Sequence, residues 1–202
     1  LRSCLSMPKF SFVLRTTDTT DIVHLLRDFD AVTRDGLARI LGTALDDQTW
    51  QQAKMPVSLG GMGLRAAEDH APTAYAASLL ASQTLLKGIT GEDNQAETNG
   101  VLSPSLLEAL TSAMGEEAKE EKLVDVPQRK LGVKVDLEQQ RKKEEMAREG
   151  SNEEKARLKS LTLPHSGDWL NVVPSTALGL HLCPQEFVMV ARYRLGLPLY
   201  IK

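Results

Sequence analysis

Residues 19–42 read TTDIVHLLRDFDAVTRDGLARILG, and this stretch decides what kind of fold to expect. Ile22, Leu25, Leu26, Phe29, Val32, Leu37, Ile40 and Leu41 recur at three- and four-residue steps. That spacing gathers apolar side chains on one face of an α-helix. Asp28, Arg34, Asp35 and Arg39 fall largely outside the stripe. Thr19, Thr20 and Asp21 offer side-chain oxygens to the first amides, and Gly42 suits the left-handed closing residue.

Composition extends this reading to the whole chain. Of 202 residues, 42% are hydrophobic but only 4% aromatic, too few for a β-sandwich or barrel, while Leu and Ala abound. The expected class is all-α. Residues 1–16 read as a short helix or an extended piece broken at Pro8. A shorter helix from about Asp46 to Lys54 turns Trp50 to the core and stops at Pro56. Pro72 fits the first position of a helix running to Lys87, rich in alanine and serine. Gly88–Gly100 is polar and linker-like, and a short helix covers Pro104–Met114. From Glu116 to Lys159 acids and bases nearly cancel, in runs such as EEAKEEK and EQQRKKEEMAREG, which read as solvated helices in a charged, mobile insertion. Ser151 caps a further helix carrying Ala156, Leu158 and Leu161 and ended by Pro164, and Trp169 sits in an apolar site after a turn. The last helix opens at Pro184, displays Phe187, Val190 and Leu195 inward, and closes at Gly196. Three regions follow: helical 1–88, a polar linker and charged insertion 89–152, and a small helical unit 153–202.

A formal net charge of −3 and a pI near 5.9 give no global electrostatic case for nucleic-acid binding, so any such role rests on local clusters. Cys4 and Cys183 lie far apart without CxxC spacing and read as reduced thiols of an intracellular protein, nuclear or cytoplasmic. No apolar run reaches the ~18 residues of a membrane span. The opening Leu1 and the apolar run LGLPLYIK at the end suggest a fragment.

Chemistry-bearing patterns are sparse. The loop Val57-Ser58-Leu59-Gly60-Gly61-Met62-Gly63-Leu64 resembles a phosphate-binding turn only in its glycines, lacking the lysine such loops use, and reads as a structural turn. Asp69 and His70 read as a helix-capping acid and a hydrogen-bonded histidine. His165, Ser166 and Asp168 are triad-like in type but lie within one turn, whereas triad members usually come from separate elements; a small hydrolase is the weakest reading. No HExxH, GxSxG, Walker loop or paired CxxC occurs, so neither metal nor cofactor is expected. Arg192 and Arg194 flank Tyr193, an arrangement suited to phosphate and base contact, or to complementing the negative end of their helix.

Four phrases, in order, resemble a region of non-LTR retrotransposon reverse transcriptases. They are LRSCLSMPKFSFVLRT (1–16), the Phe29-Asp30 region, MPVSLGGMGLRAAEDHAPTAYAASLL (55–80) and EKARLKSLTLPHSGDWLNVVPSTALGLHLCPQEFVMVARYRLGLPLY (154–200). The resemblance is to the helical thumb that follows the catalytic palm and to the linker before a zinc-binding, endonuclease-like region. It implies a thumb-like helical bundle that holds RNA or an RNA–DNA duplex by its backbone. Arg2, Lys9 and Arg15 are the first candidates for that grip, with Arg192 and Arg194 second. The Tyr/Phe-x-Asp-Asp motif, which in the full-length polymerase holds Mg, is absent. The resemblance places it upstream of Leu1 and the Cys/His pairs beyond Lys202, so this chain is expected to hold substrate rather than catalyse. The alternative is a helical scaffold that binds another protein through its Ala-rich helix or apolar C-terminal part. Flanking coding sequence discriminates: an Asp-Asp palm motif before and closely spaced Cys/His pairs after are expected for the first reading, and intact start and stop codons with neither for the second.

Overall fold

The computed structural model describes residues 7–90, 102–115, 123, 126–147 and 150–199. The fold is all-α. Its helices are α1 (Met7–Thr16), α2 (Val23–Leu41), α3 (Asp47–Lys54), α4 (Ala67–Thr90), α5 (Pro104–Met114), α6 (Gln128–Ala147), α7 (Asn152–Leu161) and α8 (Pro184–Leu195), with single 3-10 turns at Val57–Leu59 and Asp168–Leu170. Among the described residues the sole β-type pairing is an isolated bridge between Ser175 and Leu180. Arg2, Cys4, the EEAKEEK run and most of the 88–100 linker lie outside the described residues.

Compactness groups the described chain into two units made of alternating segments: 31–65 with 139–199, and 7–30 with 66–138. In the second unit, Leu14, Leu26, Ala67, Ala71 and Ala74 form one buried cluster with Phe10 and Phe29 against it. Leu80, Leu106, Leu110, Leu131 and Val135 anchor another. In the first unit, Leu37, Leu41, Ala53, Leu64, Ala191 and Leu195 form the core, flanked by Trp50, Trp169 and Phe187. Trp169 meets Phe187 edge-on, ring centroids 5.7 Å apart, a preferred aromatic geometry.

Local signals account for most helix ends. Asp46 accepts from the Thr49 amide at 2.7 Å, and Ser103 and Ser151 accept from Leu106 and Glu154 at 3.2 Å. At α8, Cys183 substitutes sulfur for the usual oxygen: its Sγ accepts from the Glu186 amide while the Glu186 carboxylate accepts from the Cys183 amide, a reciprocal capping box. Gly42 and Gly196 close α2 and α8 with φ of 64° and 73°. Pro8 lies in the first turn of α1 and does not break it, because the first turn has no intrahelical partner for that amide.

Three expectations are corrected. The buried stripe of α2 is Leu26, Asp30, Thr33, Leu37 and Leu41, rotated from the apolar one, so that Leu25, Val32 and Ile40 are exposed. The reason lies in Asp30. Its carboxylate accepts from the Ala67 amide at 2.8 Å and the Glu68 amide at 3.0 Å, capping α4 from another helix. With its first amides satisfied this way, α4 starts at Ala67, and Pro72 falls inside it rather than at its head. Nor is α6 a fully solvated helix. Leu131, Val135, Gln139 and Lys143, at four-residue steps, are buried. Its outer face carries the expected spaced pairs, Gln140–Glu144 at 2.7 Å and Arg141–Glu145 at 2.5 Å.

Replacing Asp30 by Ala strips two amides of their acceptor and lowers stability by about 1–2 kcal/mol, read as the shift of the urea midpoint. The Thr49 hydrogen bonds hold the Asp46 carboxyl below the ordinary carboxylate range. Its contribution is therefore present above the unfolded-state pKa and is lost as pH falls through the lower folded value. Acid titration of stability is expected to be shallower in Asp46→Asn than in the wild type across that window.

Candidate nucleic-acid interface

Of the five basic residues singled out by sequence, the four described ones separate into three environments. Lys9 and Arg15 are on α1, both exposed. They are placed there by the opposite face of the helix, where Phe10 meets Phe29 at a tilt with centroids 4.5 Å apart and Leu14 is fully buried. The outward face carries Lys9, Phe12, Val13, Arg15 and Thr16. The Thr16 hydroxyl donates to the Phe12 carbonyl at 2.9 Å. No acidic residue occurs in α1, so the two cations have no carboxylate on their own helix. Arg2 lies outside the described residues.

Arg194 is corrected: it is an interior residue, 2% exposed. Its Nε donates to the Gly61 carbonyl at 2.9 Å, one terminal nitrogen to Ser166 at 3.2 Å and the other to Val57 at 2.6 Å. Three carbonyls in different directions suit a planar fork, and burial keeps the group out of reach of a phosphate. Around it, the Gln52 amide group donates to the carbonyls of Gly60 at 3.1 Å and Arg194 at 2.8 Å. Arg157 donates to the same Arg194 carbonyl at 2.6 Å and to the Gln52 side-chain oxygen at 3.3 and 3.4 Å. Burial pushes the guanidinium pKa values of Arg194 and Arg157 downward; a guanidinium stays charged all the same.

Arg192 is corrected likewise, at 4% exposed. Its Nε and one terminal nitrogen are buried without a hydrogen-bond partner. An unpaired buried donor costs about 1–3 kcal/mol, more when charged. Only Tyr193, between them, reaches solvent. Alternation of exposure at 192, 193 and 194 follows from helical geometry, which turns successive side chains by about 100°.

The glycine loop is a structural turn. The amides of Leu59 and Gly61 donate to Pro56, Gly60 to Val57, Met62 and Leu64 to Ala53, and Gly63 to Met55. With every amide from 59 to 64 engaged, no nest remains for an anion. Gly61 is demanded by space, since a Cβ there would lie 2.0 Å from the Met55 carbonyl oxygen.

His165, Ser166 and Asp168 form no triad. His165 Nδ1 and Asp168 Oδ2 pair at 2.6 Å on the surface, but the Ser166 hydroxyl donates to the Leu161 carbonyl at 2.5 Å. His70 faces Asp136, 3.6 Å away in the interior. Among the described residues no cluster of three or more His, Cys, Asp or Glu side chains is arranged to hold a metal ion. Within the same residues, no helix is long and apolar enough to cross a membrane. Sequence reasoning missed Gln52 and Arg157, whose partners lie in distant segments; nothing local marks them. No family model, curated protein or solved structure matches the chain.

Arg194→Lys keeps the charge but cannot span three carbonyls, and is expected to cost about 2–4 kcal/mol in urea unfolding. Arg192→Met removes an unpaired buried charge and is expected to leave stability unchanged or raised, the reverse of what a residue with a structural hydrogen bond would give.

Proposed function

We propose that the chain is a non-catalytic nucleic-acid-holding segment, in keeping with its resemblance to the thumb and linker of a retrotransposon reverse transcriptase. The observation that carries the reading is the outward face of α1, where Lys9 and Arg15 stand exposed on a helix free of acidic residues. Such a face attracts phosphates by charge alone, without reading base sequence. The ligand class is RNA or an RNA–DNA duplex, and the grip consists of Arg2, Lys9 and Arg15. Arg192 and Arg194 have no part in it. The Mg-dependent chemistry of the resembled polymerase belongs to its palm, so this chain acts as a holder and not as an enzyme.

A second reading has its own support. Val172, Val173, Leu178, Leu180 and Leu182 are exposed along the segment leading into α8. This pattern suits a protein-binding scaffold acting through its C-terminal part. On the Ala-rich helix of that reading, Ala67, Ala71, Ala74, Ala76 and Ala77 are buried, while Ala81, Ser82, Leu85 and Ile89 are exposed.

Fluorescence anisotropy with a labelled RNA–DNA hybrid decides between them. Affinity is expected to fall steeply as salt rises. Neutralising Lys9 and Arg15 together with Gln should flatten the log–log slope by about 2 × 0.9 on a duplex. A salt-independent affinity, or binding unchanged after Arg2, Lys9 and Arg15 are all neutralised, rejects the holding role.

A further inference from the structure

We propose that Phe12 is a stacking platform for an unpaired base, so that α1 takes a single-stranded segment of nucleic acid, with Lys9 and Arg15 holding phosphates on either side. The inference rests on the holding role and specifies its ligand.

Phe12 is 74% exposed, although α1 is already anchored without it. Phe10, only two positions away, packs inward on Phe29, and Met7 and Leu14 complete the apolar face. The helix thus carries two phenylalanines with opposite fates, one in the core and one in solvent. An exposed ring contributes nothing to holding α1 in place and leaves apolar surface wet.

Its position on the helix matters more than its exposure. Lys9 precedes Phe12 by three residues and Arg15 follows it by three. At 1.5 Å per residue each cation lies ~4.5 Å along the axis from the ring, offset by about 60° to opposite sides. Residues three apart are surface neighbours on a helix. The ring is therefore bracketed by two ammonium or guanidinium groups on one continuous face, with Val13 and Thr16 as its other outward neighbours.

A surface that only grips duplex backbone needs cations and hydrogen-bond donors, and a ring between them adds nothing, because paired bases hide their faces within the stack. Single strands expose base faces, and aromatic side chains set in a basic track are how proteins hold them without sequence preference. The juxtaposition of Lys9, Phe12 and Arg15 matches that requirement.

The test uses the full chain with a single-stranded oligonucleotide carrying 2-aminopurine and with a blunt duplex of the same sequence. Wild type is expected to alter 2-aminopurine fluorescence and to bind the single strand. Phe12→Ala and Phe12→Leu should each weaken single-strand binding about tenfold and abolish the fluorescence change, while Phe12→Trp preserves both. Duplex affinity and salt slope should stay as in wild type, and circular dichroism should show an intact helical fold. Unchanged single-strand binding in Phe12→Ala, or an equal loss on the duplex, overturns the stacking role. Salt-dependent binding that still requires Lys9 and Arg15 in those variants leaves the holding role standing without it. Absence of binding to either probe removes both.

Discussion

The Arg194 guanidinium organises the unit built from residues 31–65 and 139–199. A charge taken out of water is costly unless polar partners replace its hydration, and here the partners are backbone carbonyls at Val57, Gly61 and Ser166. Val57 and Gly61 belong to the turn at 56–64 and Ser166 to the turn after α7, each with backbone hydrogen bonds of its own. One side chain on α8 ties these two turns together. The turn at 56–64 answers with its own constraint. It must pass close against Met55, so Gly61 cannot carry a side chain. Gln52 and Arg157 finish the arrangement by occupying the Arg194 carbonyl at the end of α8.

This division of labour explains why residue type misleads about function in this chain. Arginine serves as internal scaffold at 157 and 194, as an unpaired buried group at 192, and as an exposed cation at 15. Net charge is slightly negative, yet α1 presents a local cationic surface because its acids are absent rather than because its bases are many. Surface character arises from which face of each helix the core claims. On α1 the core claims Phe10 and Leu14, and what is left over is basic and aromatic.

Helix ends were legible in the sequence because caps are short-range. Asp46, Ser103, Ser151, Pro184 and Gly196 act on amides or carbonyls within four residues, and the boundaries of α3, α5, α7 and α8 follow them. The all-α class was legible for the same kind of reason, since periodicity is local. What escaped was whatever depends on a distant partner. The stripe of α2 is rotated by the demand for Asp30 on its inner side, and α6 is held by buried Leu131 and Val135 among residues that read as a solvated charged run. Of the candidate site, Lys9 and Arg15 stand at the surface. The pair at 192 and 194 turned inward because α8 packs with that side against its unit. Tyr193, read only as their neighbour, is the one that meets water.

The cap that α2 lends to α4 also orders events in time. A first helical turn is the costly step in making a helix, since several residues are fixed for a single bond. For residues 67–71 that step lacks a local acceptor, and the acceptor that serves them sits 37 positions earlier in the chain. Closing so long a loop is slow compared with growth of a helix already begun. Pro72, pre-set to helical φ, is a natural local start. On these terms the turn at 67–71 closes after the rest of α4, and once it has closed the burial of Ala67 and Ala71 holds it in the core.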